Sequence, residues 1–248
     1  MSTNNVVLIT GANRGIGHAL TTEYLSRPHT TVIAAVRDPS KSNSKALVTL
    51  PKGTGSTLIT IKIDSLAPTD AKTAVSTLPS SISRIDLVIA NAGVTVFNPV
   101  LDITVDEYLY HQSINVVGPL VLFQATWPLL QKSVSPKFIV ISSSLGSVKV
   151  GPEWGLPCGA YGASKASINY LTRRLHYEHE GLVALPVCPG WTQTDMGNEG
   201  AKVFRAAEGG LAPVTLEESI KGVVQEIDGA TRTEEGRFAC YDHKDVTW

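Results

Sequence analysis

Short runs of consecutive apolar residues alternate along the chain with longer stretches of helical periodicity. The runs are Val6–Thr10, Thr31–Val36, Thr57–Ile63, Asp86–Ala90, Lys137–Ser142, Leu182–Val187 and Arg237–Tyr241. A run that is apolar at successive positions suits a strand covered on both faces, which is how strands of parallel sheets read. Strand, helix, strand, repeated down the chain, predicts an α/β fold with a doubly wound, seven-stranded parallel sheet and helices on both faces. No linker, internal repeat or low-complexity tract interrupts residues 1–248, so one domain is expected. The longest irregular stretches are Val150–Gly159 and Trp191–Pro213, and long loops in compact domains tend to be functional.

Composition narrows the function by exclusion. A formal net charge of −1 offers neither a basic footprint for nucleic acid nor a polybasic patch for a membrane surface. Cys158, Cys188 and Cys240 are odd in number and far apart, with no CxxC or Cys/His cluster. A disulfide framework or a metal site is therefore not expected. The N-terminal Met-Ser-Thr-Asn-Asn lacks a basic region and runs straight into Val6, so neither signal peptide nor membrane span is expected. Reduced cysteines in a cytoplasmic protein fit this pattern.

The first apolar run ends in Thr10-Gly11-Ala12-Asn13-Arg14-Gly15-Ile16-Gly17. Glycines at a strand-to-helix turn let the backbone approach a phosphate and leave a helix N-terminus open to an anion. The spacing differs from GxGxxG, since three residues separate the first two glycines. Placed after the first buried strand, the turn still points to a Rossmann-type dinucleotide site. The end of the second strand decides which dinucleotide. NAD folds place an acid there for the ribose hydroxyls, whereas this chain has Val36 followed by Arg37. Asp38 lies beyond, expected to turn elsewhere, and Arg14 and Arg37 are the cations expected around a 2′-phosphate. NADP(H) is the cofactor this favours. Asp64, after the third strand, is placed to meet the adenine, and Asn91-Ala92-Gly93 closes the fourth strand with small residues where backbone must pass near a ribose.

The helix expected over Thr104–Gln131 contains Pro119, four residues after Asn115. Proline has no N–H, so the carbonyl of residue 115 loses its helical partner and a kink is expected there, aided by Gly118. An inward carbonyl freed in this way would take an ordered water, which makes Asn115 a candidate for the site. Further on, Ser142-Ser143-Ser144-Leu145-Gly146 precedes Tyr161-Gly-Ala-Ser-Lys165. Residues four apart on a helix share a face. A tyrosine ionises near pH 10, and an ammonium one turn away is expected to lower that value. With a serine hydroxyl to hold an oxygen, the set suits moving a proton on or off a carbonyl or alcohol oxygen.

Together these motifs, with Pro189-Gly190, resemble the short-chain dehydrogenase/reductase family along essentially the whole chain. The resemblance implies a tetrad of Asn115, Ser143, Tyr161 and Lys165, Ser143 being chosen because the family serine stands three before a glycine, here Gly146. Hydride would pass from nicotinamide to a carbonyl carbon while Tyr161 gives the oxygen its proton. Ser143 would bond that oxygen, Lys165 would bind the ribose and Asn115 would hold a relay water. Pro189, Gly190, Thr192 and Thr194 would cover the nicotinamide. The interval from Ser143 to Tyr161 is about five residues longer than the family's common spacing, which implies an unusual loop at Val150–Gly159. Within the family the chain looks similar to the carbonyl-reductase-like branch, most of all to fungal ketoreductases of aromatic polyketide pathways, the norsolorinic acid ketoreductase type. Such proteins pair through the helices bearing the Asn and Tyr, which implies a homodimer or homotetramer.

The segment 192–213 reads as a mobile substrate lid with a short helix near Ala201–Ala207. Phe97, Trp154, Trp191 and Phe204 are the expected lining of an apolar or aromatic pocket for a small-molecule carbonyl substrate. The leading reading is an NADPH-dependent ketone or aldehyde reductase. Its rivals are an NAD-dependent alcohol dehydrogenase, against which Val36 and Arg37 speak, and a non-catalytic NADP(H)-binding regulator, which would not need a proton donor.

Overall fold

In a computed structural model that describes residues 4–204 and 209–248, seven strands form one sheet in the order β3-β2-β1-β4-β5-β6-β7, and every neighbouring pair is parallel. The strands are β1 Asn5–Thr10, β2 Thr30–Val36, β3 Thr57–Lys62, β4 Leu87–Ala90, β5 Lys137–Ile141, β6 Val183–Cys188 and β7 Ala239–Cys240. The helices are α1 Gly15–Ser26, α2 Ser42–Lys45, α3 Asp70–Ser76, α4 Val105–Gln112, α5 Gly118–Leu130, α6 Gly159–Glu178, α7 Asp195–Val203 and α8 Leu216–Gly229.

Alternate strand residues feed two separate cores. Val7, Ile9, Val32, Ala34, Ile89 and Ile139 pack with Leu20 and Leu25 of α1 and Val223 and Ile227 of α8. Val6, Leu8, Ile33, Ala35, Val88 and Phe138 pack with Leu122 and Leu130 of α5 and Ile168 of α6. This is the expected doubly wound sandwich, and it explains the unbroken apolar runs: successive side chains enter different cores. β3 is the exception, a half-exposed edge strand. The last expected run, Arg237–Tyr241, is shortened to two paired residues, because the chain folds back so that Val246 N–H donates to the Phe238 carbonyl (2.7 Å).

The strand order reverses between β1 and β4. Open α/β sheets bind ligands at such a crevice, beyond the carboxyl ends of the strands. The glycine turn and Asn91-Ala92-Gly93 leave β1 and β4 at that place.

The expected kink takes a definite form. Ser113–Val117 is a π-helical turn between α4 and α5, with Gly118 N–H donating to the Ser113 carbonyl five residues back. The stretch Val105–Leu130 is long and apolar enough to cross a membrane, with mean hydropathy 1.3. Half of that window is buried inside the protein, where α5 covers the sheet.

Candidate active site

The two strand ends at the switch point are locked together by polar groups. Thr10 Oγ1 accepts the amides of Asn91 (3.0 Å) and Ala92 (3.1 Å), and Asn91 Nδ2 donates to the Thr10 carbonyl (2.9 Å). Gly11 and Gly15 hold φ of +64° and +50°, the left-handed region where a side chain is strained. A Cβ on Gly17 would collide with the Gly11 carbonyl and the Asn91 amide, so only glycine lets α1 begin this close to the turn. Opposite, the Thr194 methyl would lie 3.4 Å from a Cβ on Gly15, so the segment after β6 reaches across the cleft.

Around the second strand, Val36 is buried and Arg14 and Arg37 are exposed. Asp38 is turned away: its Oδ1 accepts both the amide (2.8 Å) and hydroxyl (2.6 Å) of Ser40, which hold its carboxyl below the usual range. Asn13 is tied to Ser44 Oγ (2.8 Å) and Asn43 Oδ1 (3.2 Å), two residues that sequence reasoning missed. Asp64 Oδ1 accepts the Leu66 amide (3.0 Å), and it is the neighbours Ile63 and Ser65 that line a small cavity with Thr10, Ala90, Ala92, Gly118 and Pro119.

Four expected residues converge on the other flank. Asn115 is buried, accepting Val94 N–H (2.9 Å) and donating to the Val94 carbonyl (3.0 Å) and Ser164 Oγ (2.9 Å). Lys165 is buried, its Nζ donating to the Ile141 carbonyl (2.8 Å) and lying 5.6 Å from the centre of the Tyr161 ring. A Cβ on Gly93 would sit 3.3 Å from Asn115 Oδ1 and 3.7 Å from Lys165 Nζ, so Gly93 is where the two groups meet the strand end. The three serines divide by environment. Ser142 is buried and donates to Asn169 Oδ1 (2.5 Å), and the Ser144 amide donates to Cys188 Sγ (3.2 Å). Ser143 is the serine whose hydroxyl acts on the Tyr161 phenol, drawing its pKa down, and its Oγ also accepts the Leu145 amide (3.2 Å). A Cβ on Gly146 would lie 2.7 Å from the Lys165 backbone, so this glycine seats the serine turn on α6.

The electrostatics depart from expectation. Burial pushes the Tyr161 phenol well above its ordinary value, and Ser143 rather than Lys165 is what pulls it back. Burial also brings Lys165 down to about 8. Both groups lose hydration, so the desolvation of the phenolate outweighs the pull expected of the lysine. Tyr161 is therefore a protonated donor at neutral pH.

Beyond β6, Pro189 and Gly190 form a turn with Gly190 at φ +76°, stacked on the Tyr241 ring. The Thr192 hydroxyl bonds within the turn to the Pro189 carbonyl (2.9 Å) and to Ser219 Oγ (3.0 Å), so this buried side chain braces the turn and does not point into the cleft. Thr194 caps α7, accepting Gly197 N–H (3.1 Å). That helix begins earlier than the expected Ala201–Ala207, and residues 205–207 lie outside the described residues. Phe97 and Phe204 meet edge-to-face at 5.1 Å and Trp191 lies 6.0 Å from Phe204. Trp154 is not brought to them: it sits half exposed on a separate turn, Pro152–Trp154.

Several members of the site were missed from sequence. Asn169 follows Tyr161 and Lys165 at the same spacing of four and so was legible; Ser164 and Ser219 carry no such signal.

The family model described as short chain dehydrogenase matches residues 5–202. The chain belongs to the short-chain dehydrogenase family. Among its relatives, a norsolorinic acid ketoreductase of Dothistroma septosporum is 40% identical over 97% of this chain and 91% of its own length. A short-chain dehydrogenase of Penicillium aethiopicum is 39% identical over 98% of both. Among solved structures, NADPH-bound carbonyl reductase from chicken fatty liver superposes with a TM-score of 0.85 at 28% identity, covering 100% of both chains. Oxidoreductase chemistry follows from the family, and in this dehydrogenase the motifs described above fall on one crevice.

Proposed function

We propose that this short-chain dehydrogenase is an NADPH-dependent reductase of ketones or aldehydes, with an aromatic, polyketide-like ketone as its substrate class. The observation that carries the reading is the convergence of Ser143, Tyr161, Lys165 and Asn115 beside a glycine turn that no larger residue could form. The cradle fits a dinucleotide: Gly11, Asn13, Arg14, Gly15, Ile16 and Gly17 would take the phosphates, Arg37 the 2′-phosphate, and Asn91, Ala92 and Gly93 the ribose side. NADPH bound there supplies the hydride.

The chain's own groups do the rest. Ser143 holds the carbonyl oxygen beside the phenol, and Tyr161 donates its proton to that oxygen. Lys165, whose Nζ donates to the Ile141 carbonyl, would bind the cofactor's ribose, and the Asn115 backbone carbonyl would hold a relay water at the π turn. Tyr161 as a protonated phenol is the form that reduction needs, and Val36 and Arg37 speak against NAD-dependent alcohol oxidation. A non-catalytic regulator would have no need of a buried lysine beside a tyrosine. The norsolorinic acid ketoreductase relative and the trio Phe97, Trp191 and Phe204 support the aromatic substrate class. Residues 192–213 act as the lid of a single domain. We place the protein in the cytoplasm as a homodimer or homotetramer, a pairing supported by exposed Val105, Leu109 and Tyr170 on α4 and α6.

The test is NADPH oxidation with a panel of aromatic ketones, with NADH and Tyr161→Phe as controls. NADPH-specific turnover that disappears in the variant supports the reading. Equal turnover by Tyr161→Phe overturns the mechanism.

A further inference from the structure

After β4 the chain runs beside the α4 helix and the π turn, and it is gripped at regular intervals. Asn115 bonds both backbone groups of Val94. His111, fully buried, accepts Val96 N–H at Nε2 (3.0 Å). Glu107 Oε2 accepts Asn98 Nδ2 (2.7 Å). Residues 115, 111 and 107 are four apart on one helical stripe, and their partners 94, 96 and 98 are two apart. Four helical residues rise about 6 Å and two extended residues advance about 6.6 Å, so the spacings match. The tautomer at the middle contact is set as well. Nε2 accepts, which leaves the proton on Nδ1, 2.8 Å from the Glu107 carbonyl.

Residues 95 and 97 fall on the alternate positions of this comb. The Thr95 hydroxyl is buried without a partner among the described residues, whereas Val96 is 38% exposed. Phe97 meets the lid helix, where a Cβ on Gly200 would lie 3.0 Å from its Cζ, and it packs edge-to-face on Phe204. At its N-terminal end α7 is fixed by hydrogen bonds, with Trp191 Nε1 donating to the Gly197 carbonyl (2.8 Å) and Asn198 Oδ1 accepting the Ala212 amide (3.1 Å). Towards Phe204 the contacts are between rings.

We propose that His111 is a positioning residue for substrate selection: it sets the register of residues 94–98 and so holds Phe97 as the fixed wall against which the lid closes on a planar aromatic ketone. The proposal rests on the reductase reading and adds how its substrate is chosen. Asn115 serves the catalytic centre from the same stripe, which separates the two functions by one helical turn.

The test compares 2-acetylnaphthalene with 2,3-butanedione as NADPH-dependent substrates. His111→Leu is expected to raise KM for the naphthyl ketone about tenfold, the worth of one buried hydrogen bond. Its kcat, its KM for NADPH and its KM for butanedione should stay within about twofold, on the same reasoning. His111→Gln, which offers a carbonyl oxygen near the place of Nε2, should restore the wild-type KM. In a Phe97→Leu background, His111→Leu should add nothing, because both act through the same ring. If His111→Leu fails to fold, Asn98→Ala loosens the outer contact and carries the same expectation. Equal losses on both ketones, no rescue by Gln, or additive effects with Phe97→Leu would overturn the proposal. Butanedione turnover by the unmodified protein keeps the reductase reading standing through any of those outcomes. If the unmodified protein reduces neither ketone, both readings fall.

Discussion

The two sides of the crevice are built on different principles. The side with the glycine turn is backbone held by short polar side chains: Thr10 and Asn91 tie two strand ends, and Gly17 sits where no side chain fits. The substrate side is one helix tied at its first turn and resting on rings beyond it. Rings in edge contact slide and part at little cost, whereas a carbonyl against a glycine has nowhere to go. In the proposed reading, a cofactor common to many reactions would meet the rigid wall, and the reaction-specific ligand the adjustable one.

Four tests probe this contrast. Between the walls, Tyr161→Phe removes the proton donor; kcat should fall by about 10²–10⁴-fold, with NADPH affinity measured by fluorescence titration unchanged. On the rigid side, Arg37→Asp should shift the NADPH-to-NADH ratio of kcat/KM by about 10–100-fold, the worth of a charge-assisted hydrogen bond. Because Lys165 sits at about 8, its ammonium is present below that pH and lost above it. The KM for NADPH should stay level on the acid side of about 8 and rise on the alkaline side, as read in a pH series. The last test sets glycine against glycine. Gly17→Ala meets backbone and should cost about 1–3 kcal/mol in urea unfolding. Gly200→Ala meets side-chain atoms, the tip of the Phe97 ring at 3.0 Å, and should cost less. Equal costs would erase the distinction between the walls.

The same contrast governs what could be read from sequence. The glycine turn at the switch point was legible because a close approach of backbone demands glycines, which stand out in sequence. Ser143 could be chosen among three serines through the family resemblance, which places the serine three before a glycine, and that glycine, Gly146, seats on the Lys165 backbone. Sequence failed where tertiary contacts decide. Thr192 has the type and place of a ligand-binding residue, yet its hydroxyl is claimed by Pro189 and Ser219 from another element. Trp154 has the right side chain on a turn that does not reach the other rings. The expected effect of Lys165 on Tyr161 failed for an energetic reason: spacing shows proximity but not the loss of water that both groups suffer on burial.

The π turn at Ser113–Val117 has a consequence for how the chain could be shortened. A wide turn holds one residue more than an α turn, so the flanking helices keep their seats around a local surplus. Removing Val117, which is 40% exposed, would spend that surplus. Leu122, Phe123 and Leu130 would stay on the sheet while the backbone around Asn115 tightened. We expect near-wild-type circular dichroism and thermal unfolding with turnover lost, a deletion that the architecture absorbs and the chemistry does not.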